Sequence, residues 1–219
     1  MTHHGMHTED SAARLAVVAF RSSLLMPAVR DSTGVPMSDL DVFIDKLANT
    51  PPSCIKNFSV ATSTLPEPWD DNPKSVWQLR CKCRHDNGNL LGYSLADYNT
   101  DYDGELLLVS PLAFRCIQCN ATTELFDTDI HGYHADIDIR EGLSGRAVKV
   151  RGTGDRQPFP CPKCNHDVFS LVVGFVFWNA DELADEFDDR WQDLFNVFLC
   201  HTTCRQCGHV STPTDFGKL

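Results

Sequence analysis

The chain has 219 residues, 42% of them hydrophobic and 22% charged, the proportions of a globular protein with room for one sizeable domain or two small ones. A formal net charge of −11, with RCKCR at 80–84 as the densest basic stretch, argues against a surface that wraps nucleic-acid phosphate. No apolar run approaches the ~18 residues that cross a bilayer, and the opening MTHHGMHTEDS has no basic n-region, so neither a membrane span nor a signal peptide is expected.

Along the chain, Leu15 and Val18 stand at helical spacing and predict a first helix over 11–22. A second opens at Ser38. In SDLDVFIDKLAN the serine caps, acids fill the first turn, and Leu40, Phe43, Ile44 and Leu47 share a face. NTPPS stops it. The Pro-rich stretch 64–75 reads as a linker. Strands follow in VWQLRCKC, LLGYSLADY, ELLLVSPLAFRC and TTELFDTDI, with a hairpin turn expected at Asp103–Gly104. Read as a calcium loop, the letters around that turn fail at the twelfth place, Ser110, where a bidentate Glu is required. RGTGDRQP at 151–158 reads as a second linker, and DVFSLVVGFVFW as a buried strand. A helix over 179–195 comes next, capped by Asn179, with Leu183, Phe187, Trp191 and Leu194 on one face and seven acids against one arginine. NVFLC returns as a strand.

Ten cysteines are many for a chain of this length. Eight fall into close pairs: Cys81/Cys83, Cys116/Cys119, Cys161/Cys164 and Cys204/Cys207. Without a secretion signal, paired cysteines read as metal ligands rather than disulfides. Four thiolates hold Zn²⁺ tetrahedrally, and two close pairs are the usual way to supply them. The chain must reverse sharply after the second cysteine of each pair, which favours a residue that tolerates positive φ. Asn120, Asn165 and Gly208 stand at that place, and Pro162 suits the start of its turn.

CPKCNH, CRQCGH and CIQCN resemble the knuckles of the zinc-ribbon group of folds, here as a double ribbon with four cysteines to each site. CKCRH departs from the pattern: it is one residue short, and Arg84 takes the turn-tolerant place. Either this knuckle is distorted or His85 replaces one of its cysteines. The chain between paired knuckles exceeds the ~15–20 residues of a compact ribbon, so each interval must hold inserted secondary structure.

These readings predict two Zn²⁺ ions per chain. One is held by Cys81, Cys83, Cys116 and Cys119, the other by Cys161, Cys164, Cys204 and Cys207. The linker at 151–158 favours this sequential pairing over a crossed one. His85, His166 and His209 are alternative ligands. An iron–sulfur cluster on Cys200, Cys204 and Cys207 is disfavoured by the short chain that follows, and Cys200 and Cys54 are read as small buried residues. His131 and His134, with Asp136 or Asp138, mark the best place for an open, catalytic metal. The expected fold is α+β: an N-terminal helical and extended region over 1–75, a zinc-binding β unit over 76–150, and a second zinc-ribbon unit over 151–219 with an inserted helix. The expected function is that of a non-enzymatic, zinc-stabilised, cytoplasmic interaction protein with a protein partner, basic if complementary; the acidic helix reads as a solvated face, with a docking surface for a basic partner as the alternative. A metal-dependent hydrolase using the His131/His134 region and a nucleic-acid-associated ribbon are the alternatives.

Overall fold

Ser38 caps the first described helix, α1 (Asp39–Asn49), in a reciprocal capping box: its side chain accepts the Asp41 N–H, and the Asp41 carboxylate accepts the Ser38 N–H. Phe43 and Leu47 are fully buried, whereas Ile44 stays 43% exposed. The computed structural model describes residues 37–66, 70–98, 106–131, 139–141, 147–149, 151–185 and 191–217. The helix expected over 11–22 and the turn at Asp103–Gly104 lie outside the described residues.

Strands dominate the rest: β1 (Ser59–Thr62), β2 (Lys74–Arg80), β3 (Asn87–Ser94), β4 (Leu108–Cys116), β5 (Thr122–Phe126), β6 (Ile139–Glu141), β7 (Ala147–Lys149), β8 (Gln157–Pro158), β9 (Phe169–Val176), β10 (Val197–Cys204) and β11 (Val210–Gly217). Among the described residues β6 and β7 pair only with each other. The other nine form one antiparallel sheet along β1-β2-β9-β3-β4-β5, with β10 and β11 branching from β9 and β8 from β3.

The sheet contains the same pattern twice. In the first half Gly88 pairs with Cys116, Asn89 with Arg115 and Leu90 with Phe114. In the second, Phe169 pairs with Cys204, Ser170 with Thr203 and Leu171 with Thr202. The third strand repeats too: Arg115↔Thr122 and Phe114↔Thr123 match Thr203↔Val210 and Thr202↔Ser211. Both third strands then slip at a bulge, leaving Leu112 opposite Phe126 and Cys200 opposite Thr214. The halves exchange their leading strands. β2 pairs with β9 (Gln78↔Val172, Trp77↔Val173), and β8 pairs with β3 at the corresponding positions (Pro158↔Leu91, Gln157↔Gly92). The central strands meet at Gly88↔Phe169. A Cβ on Gly88 would stand 2.4 Å from the Arg115 carbonyl and from the Phe114 ring. Phe114 thus fills from the facing strand the space that Phe169 fills from its own.

The expected division into two β units is not what the sheet displays. β9 borrows β2 and β3 from the first unit, and β1 lies in the expected N-terminal region. One aromatic core serves both halves: Phe126 stacks on Phe198 at 4.2 Å, and Phe43 meets Trp191 at 5.1 Å and Phe177 at 5.9 Å. The segment read as a second linker is a fastened strap. Arg151 pairs with Asp127 and Asp129, Gly152 N–H donates to Ser110, and Tyr93 donates to the Gly154 carbonyl. α2 covers Ala180–Asp185, and Trp191–Asp193 forms a 3₁₀ turn where the α-helix is expected to continue. Leu194 is 42% exposed, so the expected apolar face ends at Trp191. Asn179 Oδ1 has no hydrogen-bond partner, and only its carbonyl accepts, from Leu183 N–H. Phe187 lies outside the described residues.

A fragment of residues 151–219 leaves one edge of β9 without β2 and β3. Circular dichroism of the isolated fragment with Zn²⁺ supplied is therefore expected to lack the native strand signal. Adding residues 37–150 as a separate chain should restore it.

Candidate metal centres

Each cysteine pair sits where one strand ends and the chain reverses. Cys81 follows β2, Cys116 closes β4, Cys161 lies three residues past β8 and Cys204 closes β10. All four reversals are closed by the same two backbone bonds. The N–H of the first cysteine donates to the carbonyl two residues past the second cysteine: Cys81 to His85, Cys116 to Ala121, Cys161 to His166 and Cys204 to His209, at 2.8–3.0 Å. The N–H of the residue just past the second cysteine donates back to the first cysteine's carbonyl, from Arg84, Asn120, Asn165 and Gly208 at 2.7–3.0 Å. All four of these residues have positive φ: 71°, 59°, 61° and 71° in that order. The short CKC knuckle makes the same closed turn as its longer counterparts. Arg84 enters the left-handed region despite its Cβ, at a cost of about 1–2 kcal/mol.

The turns aim backbone donors at sulfur. Cys81 Sγ takes the N–H of Cys83, Cys116 takes those of Cys119 and Gln118, Cys119 that of Ala121, Cys164 that of His166, and Cys204 those of Cys207 and Gln206. A cysteine turn of this spacing is expected to point backbone N–H groups at its sulfurs, and these turns do so.

Two sets of four sulfurs converge, in the sequential pairing. Cys81, Cys83, Cys116 and Cys119 form one, and Cys161, Cys164, Cys204 and Cys207 the other, with all sulfurs of a set within 4.8 Å of one another. The nearest approaches cross between knuckles: Cys81–Cys119 at 3.5 Å, Cys83–Cys116 at 3.6 Å, Cys161–Cys207 at 3.7 Å and Cys164–Cys204 at 3.5 Å. All ten cysteines are free, and these separations are far beyond a disulfide bond of about 2.05 Å. A tetrahedron whose corners lie about 2.3 Å from a central ion has edges of about 3.8 Å, which the spacing fits. Thiolates on different metals of an iron–sulfur cluster stand wider apart, so a single ion suits each set.

Within each set the thiols are electrostatically unequal. Burial pushes Cys81 up to about 12 against the pull of the Cys83 N–H, while the Ala121 N–H brings Cys119 down to about 7. In the second set Cys164 receives the His166 N–H, yet burial and its neighbouring thiols raise it to about 12. Cys204, though burial opposes ionisation, is held at about 6 by the N–H groups of Cys207 and Gln206. Exposed Lys82, Lys163 and Arg205, within three of the four knuckles, offset part of the negative charge that four thiolates create.

The histidines near the knuckles stand outside both sulfur sets. Neither His85, His166 nor His209 belongs to a converging group, and each instead lends its carbonyl to its knuckle. Among the described residues no third group of His, Cys, Asp or Glu converges. His131 Nδ1 accepts the Asp127 N–H at 2.9 Å, and its ring lies 5.7 Å from Phe126; His134, Asp136 and Asp138 lie outside the described residues. Cys200 and Cys54 are buried away from both sets, and burial raises the Cys200 thiol to about 12. Comparison with protein-family models, with curated proteins and with solved structures finds no match.

Arg84→Gly removes the Cβ that opposes the turn. It is expected to raise stability by about 1 kcal/mol with metal content unchanged, checked by urea unfolding and elemental analysis. Cys200→Ser should likewise keep the full metal content while losing about 1 kcal/mol.

Proposed function

We propose that the protein is a zinc-stabilised interaction scaffold, without a catalytic role, in which both four-cysteine groups are closed structural Zn²⁺ sites. The observation that carries this reading is the convergence of four sulfurs, with tetrahedral spacing, in each of two groups. Four protein ligands leave no coordination position for water or substrate, as is typical of structural rather than catalytic zinc. All-thiolate sets favour zinc over harder cations. Ten free thiols suit a reducing compartment such as the cytoplasm. No described helix is long and apolar enough to cross a membrane.

The partner in this reading is a protein, and a basic one fits best. Asp181, Glu182 and Asp185 are exposed on α2, and the chain as a whole is strongly acidic. Complementary charge raises the rate of encounter and selects among partners.

Elemental analysis is expected to find two Zn²⁺ per chain, and one in Cys119→Ser or Cys207→Ser. A full count in either variant would overturn the assignment. Protons compete with the metal for thiolate sulfur, so zinc affinity should fall as pH falls and protons should be released on binding. Titration with a chromogenic chelator at several pH values reads this directly, and an affinity independent of pH would exclude thiolate ligation. Charge reversal at Asp181, Glu182 and Asp185 should abolish capture of a basic partner with the melting temperature nearly unchanged.

A further inference from the structure

The two sulfur sets differ in how they meet solvent. In the first, Cys83 and Cys119 are exposed, while Cys81 and Cys116 are buried. In the second, Cys207 is exposed, Cys164 is half-buried, and Cys161 and Cys204 are buried. Cys119 stands 3.5 Å from Cys81, and Cys83 stands 3.6 Å from Cys116. Each exposed sulfur of the first set therefore has a sheltered sulfur of the opposite knuckle as its near neighbour. The second set offers one such couple, Cys207 with Cys161 at 3.7 Å. Its other close couple, Cys164 with Cys204, has no exposed member.

The surrounding charge differs in the same sense. Arg80, Lys82 and Arg84 are all exposed and alternate along one knuckle of the first set. Lys82 Nζ is held in place there by the carbonyls of Lys56 and Phe58 at 3.1 and 3.0 Å. The second set has one exposed cation on each knuckle, Lys163 and Arg205. Reactive cysteines sit in partly exposed, electropositive surroundings, whereas buried ones are inert. By both measures the first set is the more open to attack.

We propose that the first centre is an oxidation site, where hydrogen peroxide joins Cys119 to Cys81 and Cys83 to Cys116 as disulfides and so releases the bound ion while the second centre keeps its own. The proposal rests on the reading of both groups as zinc sites. A closed coordination shell is no obstacle, because the attack falls on sulfur and not on the metal.

The Cys119 thiolate attacks one peroxide oxygen. The O–O bond breaks, hydroxide leaves, and Cys119 becomes a sulfenic acid. The Cys81 thiolate then attacks the Cys119 sulfur. The S–O bond breaks, a second hydroxide leaves, and the disulfide is formed. Cys83 and Cys116 consume a second peroxide in the same way. Each disulfide has given up two electrons, each peroxide has taken two, and no thiolate is left to hold the ion. The sulfurs need to close only from 3.5 and 3.6 Å to about 2.05 Å. Both new bonds run between knuckles, so the end of β2 stays tied to the end of β4 and the sheet outlasts the loss of the ion. A thiol reductant returns the four thiolates.

The test treats the full-length, zinc-loaded protein with hydrogen peroxide and follows released Zn²⁺ with a chromogenic chelator. Release should come in two phases, the first amounting to half of the zinc. Peptide mapping after that phase should find Cys81–Cys119 and Cys83–Cys116 linkages, with Cys161, Cys164, Cys204 and Cys207 still reduced. Circular dichroism should keep the native strand signal, and dithiothreitol with Zn²⁺ should restore the lost ion. Cys207→Ser, which keeps the first-centre ion, should release it several-fold faster than Cys119→Ser releases the second-centre ion. Variants that do not hold one ion before treatment are left out, and the map of the unaltered chain then decides alone. Equal release from both centres, release from the second first, linkages within a knuckle, or sulfinic acids in place of disulfides each overturn the proposal. So does retention of both ions. If two ions are present before peroxide is added and one of these outcomes follows, the oxidation site alone fails. If none is present, the zinc reading itself fails.

Discussion

Four sulfurs can come within 4.8 Å of one another only if two chain reversals face each other with their donors turned inward. That requirement shapes most of the architecture. Each reversal needs a residue at positive φ, a closing bond from the first cysteine's N–H, and a strand on either side to hold it. Two reversals can face each other only if their strands are neighbours, which explains why β3 pairs with β4 and β9 with β10 right up to the cysteines. Even a residue as ill-suited as Arg84 is forced into the left-handed region. The local cost of about 1–2 kcal/mol is small beside the roughly 10–16 kcal/mol that a structural zinc site can contribute.

The exchange of leading strands ties the two centres together. β2 leads into the first sulfur set but completes the edge of β9, the strand that leaves the second. β8 leads into the second set but lies against β3. Cys81, Cys116, Cys161 and Cys204 all belong to one hydrophobic cluster along with Phe43, Phe114, Phe169 and Phe198. Loss of order at one centre therefore withdraws a strand from the neighbour of the other. One hydrophobic core thus lies behind both sulfur sets.

The two four-cysteine groups were legible in the sequence because the spacing of cysteines that can share an ion is dictated by coordination geometry. Asn120, Asn165 and Gly208 stated their backbone conformation through residue type; Arg84 did not, since closure of its knuckle overrides its own preference. α1 was legible from its cap and its apolar spacing. The strand exchange was not, because pairing between segments so distant along the chain leaves no local periodicity. The repeat was hidden as well. Outside the knuckles it survives in register more than in residue type, although the matching His85-Asp86 and His166-Asp167 were a usable hint. β11 carries Pro213 among polar residues and shows no alternating apolar pattern of its own. RGTGDRQP carried every sign of a free linker, yet Arg151, Gly152 and Gly154 each find a fixed partner. Composition reports what a segment can do when nothing holds it, and here Tyr93, Ser110 and Asp127 hold it.

The meeting of Gly88 with Phe169 at the centre of the sheet has a bearing on the chain's ancestry. A repeat of this kind can arise from a half-length protein that once paired with an identical copy about a two-fold axis. At such an axis a residue faces itself. Two first halves would set glycine against glycine, and two second halves phenylalanine against phenylalanine, whereas this chain sets the unlike pair together, with Phe114 lying against the glycine. The halves have thus diverged at the very point where a two-fold axis would run, and their linkage in one polypeptide guarantees that the unlike pair meets each time the chain folds.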